Sequence, residues 1–137
     1  HSQDEGFAEA HRILITNYAN ILTSNRARLR QLIEARIVPF MERQKVAFWG
    51  AGRIFDALVK YGKLDTTRVQ CLVDRHLWHI VNETHGVSVQ RPEVLKRFEP
   101  QVVIVLARSA AGEIADEVRR FGVRHVVKFQ DLLAQCS

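Results

Sequence analysis

The residues best suited to hold a ligand are two glycines, Gly50 and Gly52, and an aspartate, Asp74, about twenty residues further on. The first glycine lets the chain reverse where a side chain would clash, and the second lets a phosphate approach the backbone. A helix that begins directly after them presents free N–H groups and a partial positive charge to an anion. A carboxylate at this spacing accepts a hydrogen bond from a ribose hydroxyl. These residue types together predict a nucleotide site.

Further candidates surround this set. Arg53 lies in the first turn of the helix, where it can clamp a phosphate, and Arg75 can pair with a 2′-phosphate. Arg108 and Ser109 follow the most apolar run of the chain. Each has a simpler alternative: Asp74 and Ser109 as caps of a turn or helix, the arginines as surface residues. The predicted cofactor-binding residues are Gly50, Ala51, Gly52, Arg53, Ile54, Asp74, Arg75, Ala107, Arg108 and Ser109.

The elements that position these residues alternate between strand and helix. The segment Lys45–Tyr61 reads as a strand, a glycine turn and a helix, the opening of a Rossmann-type unit, although Phe55 replaces the third glycine of G-x-G-x-x-G. Continuous apolar residues over Gln101–Ala107 indicate a parallel strand covered on both faces. We therefore expect an α/β fold, a Rossmann-like three-layer sandwich with a parallel sheet of about five strands in the order 3-2-1-4-5. The predicted strands are Val46–Trp49, Val69–Val73, Val87–Val89, Gln101–Ala107 and Arg124–Val127.

A helical extension precedes this domain. Apolar residues at helical spacing predict helices over Phe7–Leu22 and about Asn25–Val38, and Pro39 is expected to end or kink the second. The chain is therefore divided into an N-terminal helical extension, residues 1–44, and a nucleotide-binding domain, residues 45–137. We expect the amphipathic helices to pack on the sheet edge, on a second copy in a homo-oligomer, or on a neighbouring catalytic domain.

Composition excludes several classes of protein. The chain has 137 residues and a formal net charge of +5, but its basic residues are dispersed without interleaved aromatics, which argues against nucleic acid. No apolar run approaches the length of a membrane span, and no signal peptide is recognisable. The two cysteines, Cys71 and Cys136, are not expected to pair, which fits a cytoplasmic protein.

Catalytic and metal sites are not recognisable. No Ser–His–acid set, carboxylate pair or G-x-S-x-G turn occurs, and Tyr61 lacks the lysine spacing of a sugar epimerase. His76, His79 and His85 lack the cysteines or clustered carboxylates that would support a metal site. Whether the protein is an enzyme therefore stays open, and we expect no metal.

The runs FWGAGRIFDALVKYG, CLVDR and HGVSVQRPEVLKRFEPQVVIVLARSAAGEI carry a resemblance. In order, they resemble the Rossmann-like C-terminal domain of sugar C-methyltransferases and are similar to nucleotide-binding modules of bacterial polysaccharide-biosynthesis proteins. The resemblance covers about residues 45–133. It implies that Gly50, Gly52 and Asp74 face a nucleotide, although Phe55 and the segment HLWHIVNETHG depart from the family pattern.

This resemblance implies a nucleotide- or dinucleotide-binding module in sugar or polysaccharide metabolism, part of a larger methyltransferase-like or sugar-modifying protein. NAD(P) or a nucleotide-sugar is the implied ligand class. Two alternatives stay open: a non-catalytic structural or oligomerisation domain that has lost its ligand, and a small NAD(P)-dependent oxidoreductase.

Overall fold

The computed structural model describes residues 26–134, which form an α/β fold with one mostly parallel sheet. Two parts of the sequence discussed above lie outside the described residues: Cys136 and the predicted helix over Phe7–Leu22. Two short 3₁₀ turns, Thr66–Arg68 and Pro92–Val94, connect larger elements. The helices and strands are, in chain order, α1 (Arg26–Leu32), a π-helical turn (Ile33–Ile37), α2 (Val38–Arg43), β1 (Val46–Trp49), α3 (Arg53–Lys60), β2 (Leu72–Val73), β3 (Glu83–Thr84), β4 (Val87–Gln90), α4 (Leu95–Phe98), β5 (Val102–Val105), α5 (Ala111–Arg120), β6 (His125–Lys128) and α6 (Phe129–Ala134).

The sheet has six strands in the order β3-β4-β2-β1-β5-β6, which corrects the expectation of about five in the order 3-2-1-4-5. The difference is β3, an antiparallel edge strand of two residues that the sequence prediction lacked. The other five strands pair in parallel, and they keep the neighbours expected of them. Their central pair is β1 and β5, in register from Val46 opposite Val102 to Trp49 opposite Val105.

The added edge strand exists because β3 and β4 form a tight hairpin. The two residues between them, His85 and Gly86, have φ values of 51° and 79°. Positive φ at both positions is the property of a type I′ turn, whose twist matches that of the strands it joins. The His85 ring nitrogen Nε2 lies 2.7 Å from Asp56 Oδ1 on α3, which attaches the hairpin to that helix. Partial burial would raise the pKa of Asp56, but hydrogen bonds from His85 and Lys60 lower it below its usual value.

Both faces of the sheet are covered by helices. Alternate residues of β1 point to opposite faces, as the period of a strand requires. Phe48 belongs to one core cluster, which also contains residues of α1, α3 and α6, whereas Trp49 belongs to a second cluster with residues of α4 and α5. β1 and β5 are fully apolar and buried along their length, so the central strands supply the core of both layers.

The helix before the sheet does not end at Pro39, which corrects the first of the two outcomes expected there: helical structure continues to Arg43. Proline removes a backbone N–H and normally breaks the regular ladder of a helix. Here a π-helical turn precedes it, and the Val38 N–H donates to the Ile33 carbonyl, five residues back. A π turn is a recognised way to shift the hydrogen-bond register within a helix. Leu29, Leu32, Ile33 and Ile37 of this helix are buried against the sheet.

Two strands are also shorter than predicted, and β4 and β6 differ from their predicted ranges by one residue at one or both ends. The second strand covers only Leu72–Val73 instead of Val69–Val73, because a 3₁₀ turn and irregular chain occupy the residues before it. The fourth predicted strand is Val102–Val105, shorter at both ends than Gln101–Ala107. The residues after it are therefore free to turn across the end of the sheet, where the candidate site lies.

Candidate functional site

A cleft of about 480 Å³ lies where the parallel strands β1, β2 and β5 end. In the sheet, β1 lies between β2 on one side and β5 on the other. The cleft is therefore at the point where the strand order reverses. Ligands of open α/β sheets bind in this kind of crevice. We call it the carboxyl-end cleft; it is lined by Trp49, Gly50, Gly52, Asp74, Arg75, His76, Leu106, Ala107, Ser109, Ala110, Glu113, Ile114 and Glu117.

The two glycines of the turn have different structural reasons. Gly50 has φ of 120°, and a Cβ atom there would lie 2.6 Å from the Leu106 carbonyl oxygen. The ends of β1 and β5 therefore approach too closely for any side chain at this position. A Cβ atom at Gly52 would meet no atom within 4 Å. The space over Gly52 is open, as a ligand that contacts the backbone would require.

Asp74 holds the glycine turn directly. Its Oδ2 accepts a hydrogen bond from the Ala51 N–H at 3.0 Å. Its Oδ1 accepts from the N–H groups of His76 and Leu77, both at 2.9 Å. One carboxylate thus caps the turn that follows β2 and ties it to the turn that follows β1. A carboxylate has about four acceptor positions, so it can accept one further hydrogen bond from the cleft.

Arg75 is engaged by acidic neighbours. Its guanidinium pairs with Glu117 of α5 and lies 3.4 Å from Glu93. It also lies 5.9 Å from the centre of the ring of Trp49, another lining residue of the cleft. The lining residues include the carboxylates of Asp74, Glu113 and Glu117 and a single arginine. Because carboxylates outnumber the arginine, the charge of the cleft favours a ligand's hydroxyl groups beside Asp74 over an anionic group there.

The structure brings six of the ten predicted residues into the cleft, namely Gly50, Gly52, Asp74, Arg75, Ala107 and Ser109. Ala51 contributes its N–H to Asp74 without lining the cleft. Arg53 is exposed at the start of α3, and Ile54 packs against the core. Arg108 lines a different cavity, beside Arg28 and Phe129.

Phe55, at the position of the missing third glycine, has no exposed surface and packs into the core with Phe48 and Leu58. It is thus a core residue and does not fill the cleft.

Ser109 does not cap α5, which corrects that possibility: the cap is Ala110, with φ of 62° and no side-chain hydrogen bond.

Sequence reasoning missed the wall that α5 contributes. Glu113 and Glu117 line the cleft from this helix, four residues apart and therefore on one face. Their spacing was a usable signal, because α5 follows a strand that ends at the cleft. Trp49 was assigned only to the strand, and His76 was considered only as a possible metal ligand. Their place in the cleft depends on which side of the strand end each side chain takes.

Other titratable groups lie away from the cleft. Burial raises the pKa of the Cys71 thiol to about 11, so this free cysteine stays protonated at neutral pH. His79 packs edge-on against Trp78, with ring centres 5.2 Å apart.

Across residues 26–134, no group of three or more His, Cys, Asp or Glu side chains could hold a metal ion. No helix in that range is long and apolar enough to cross a membrane.

Comparison of the chain with protein-family models and with curated proteins finds no match to either.

Proposed function

We propose that the fold is Rossmann-like and that the carboxyl-end cleft binds the nucleoside part of a nucleotide or dinucleotide. We further propose that the protein acts in sugar or polysaccharide metabolism. The observation that carries the proposal is the open space over Gly52 at the point where the strand order reverses. A volume of about 480 Å³ suits part of a cofactor.

Asp74 supports the nucleoside part of this proposal. Its carboxylate is fixed by three backbone N–H groups and has acceptor capacity left for a ribose hydroxyl. Because Glu117 and Glu93 already engage Arg75, that arginine is a poor partner for a 2′-phosphate. We therefore expect NAD or a UDP-sugar to bind more tightly than NADP.

The test is titration of the purified chain with NAD, NADP, S-adenosylmethionine and UDP-sugars, followed by calorimetry and by thermal unfolding. A ligand at about 100 times its dissociation constant stabilises the folded state by about 2.7 kcal/mol. Gly52→Val fills the open space over the turn and should abolish the stabilisation. Gly112→Ala is the matched control, because a Cβ atom there also meets nothing within 4 Å and Gly112 does not line the cleft.

A second candidate is a structural domain that works without a ligand. The observation that favours it is the hydrogen bond from the Ala51 N–H to Asp74, which satisfies one amide of the turn from within the protein. The titration separates the two candidates. Stabilisation that is lost in Gly52→Val supports the binding module, and no stabilisation by any of the ligands supports the structural domain.

A further inference from the structure

A second cavity lies at the opposite edge of the sheet, where the parallel strands begin. Gln101 immediately precedes β5, and His125 is the first residue of β6. Arg36, Phe40 and Arg43 line the cavity from the helix before β1. Its volume is about 630 Å³, within the range of small-molecule sites. We call it the amino-end cavity.

The charged lining of this cavity is basic. Arg36 and Arg43 lie on the same helix, and no aspartate or glutamate lines the cavity with them. Within residues 26–134, neither arginine forms an ion pair, whereas Arg68, Arg75 and Arg119 each pair with a carboxylate. Two guanidinium groups at one cavity without a counter-charge repel each other and attract an anion.

Neutral groups in the cavity add donors and an apolar wall. The Gln101 Oε1 accepts a hydrogen bond from the Lys45 N–H at 2.8 Å, which leaves the amide NH₂ group of Gln101 as a donor. The rings of Phe40 and His125 meet edge to face, with centres 5.7 Å apart. The cavity therefore combines anion-binding donors with an aromatic surface that can contact a planar or apolar group.

We propose that the amino-end cavity binds a small molecule that carries a phosphate group. Planar guanidinium groups donate paired hydrogen bonds to phosphate oxygens, which makes arginine the favoured residue for this group. The aromatic pair suits a base or other flat part attached to the phosphate. Among the described residues only two arginines line the cavity, whereas a nucleic-acid strand is bound along a longer basic groove that follows its backbone, so the lining favours a small molecule. The site is distinct from the carboxyl-end cleft and does not depend on the function proposed for it.

The experiment titrates the whole chain with inorganic phosphate, AMP and adenosine, by calorimetry and by proton NMR of the histidine rings. Comparison with His125→Gln identifies the His125 resonance, which reports binding in this cavity alone. We expect AMP to bind at least ten-fold more tightly than adenosine and to shift the His125 resonance. The double variant Arg36→Gln/Arg43→Gln should weaken AMP binding at least ten-fold. Arg30→Gln, on the same helix and outside the cavity, should change it less than two-fold.

Three results would overturn the proposal. Equal affinity for AMP and adenosine would remove the role of the phosphate. An equal loss in Arg30→Gln would show that only net charge matters. A twelve-nucleotide single strand that binds more tightly than AMP, through the same two arginines, would make the partner a nucleic acid. Gly52→Val separates the two sites: it should abolish binding at the carboxyl-end cleft and leave the His125 shift with AMP intact.

Discussion

Replacing Asp74 by alanine tests whether one carboxylate holds the candidate site together. The substitution removes the acceptor of three backbone N–H groups, from Ala51, His76 and Leu77. A hydrogen bond to a charged group contributes about 1.5 kcal/mol, and the His76 bond is exposed, so water replaces part of it. We therefore expect Asp74→Ala to lower the free energy of unfolding by about 3 kcal/mol.

Asp74→Asn divides this effect into its parts. The asparagine oxygen can still accept from the N–H groups that follow β2, but its NH₂ group then faces the Ala51 N–H, a second donor. We expect this variant to lose about half as much free energy of unfolding as Asp74→Ala. Hydrogen exchange should localise the effect, with faster exchange at the Ala51 amide than in the wild type.

The measurement is equilibrium unfolding in urea, followed by circular dichroism. With a dependence of about 1.5 kcal/mol per molar urea, a loss of 3 kcal/mol lowers the midpoint by about 2 M. Asp65→Ala is the matched control, because Asp65 also caps a turn but accepts only from Thr67, two residues away. Equal losses in Asp74→Ala and Asp65→Ala would refute the reasoning, since the long-range bond to the glycine turn would then contribute nothing.

Three further predictions concern the core and the turn. Gly50→Ala should destabilise the fold by at least about 3 kcal/mol, because it combines positive φ with a backbone clash, whereas Gly52→Ala should cost less than about 1 kcal/mol; urea unfolding of both variants measures the difference. Phe55→Gly, which completes the glycine fingerprint, should cost about 4 kcal/mol or more by leaving a core cavity, and a gain in thermal stability would contradict this. In a Cys136→Ser background, Cys71 should react with iodoacetamide at pH 8 at least about 100-fold more slowly in the folded than in the urea-unfolded protein, and comparable rates would show that the thiol is not buried.

Much of the sheet could be predicted because its signals are local. The apolar run before Gly50, the glycine turn and the helical pattern after it together predict β1 and α3, and both occur. Continuous β-branched residues identify β5 as a central strand, buried on both faces. The edge strand β3 was missed because it has only two residues, and the His85-Gly86 turn is a weaker signal than Asn-Gly or Asp-Gly.

The expected helix end at Pro39 was wrong for a different reason. Proline is a strong local signal for a helix end, and local rules contain no term for the tertiary packing that compensates it. Ile33 and Ile37 are buried against the sheet, and this burial favours a continuous helix. The π-helical turn then supplies the change in hydrogen-bond register that the proline requires.

The sequence by itself determined the approximate positions of the five parallel strands and that Gly50 and Asp74 follow strands, because apolar runs and glycines act on the chain nearby. Only the tertiary structure decided that Asp74 binds the Ala51 N–H, that Glu117 engages Arg75, and that Phe55 enters the core. These choices depend on which strands become neighbours. Hydrogen bonds and ion pairs act over a few ångströms, so their partners are defined only after the sheet has assembled.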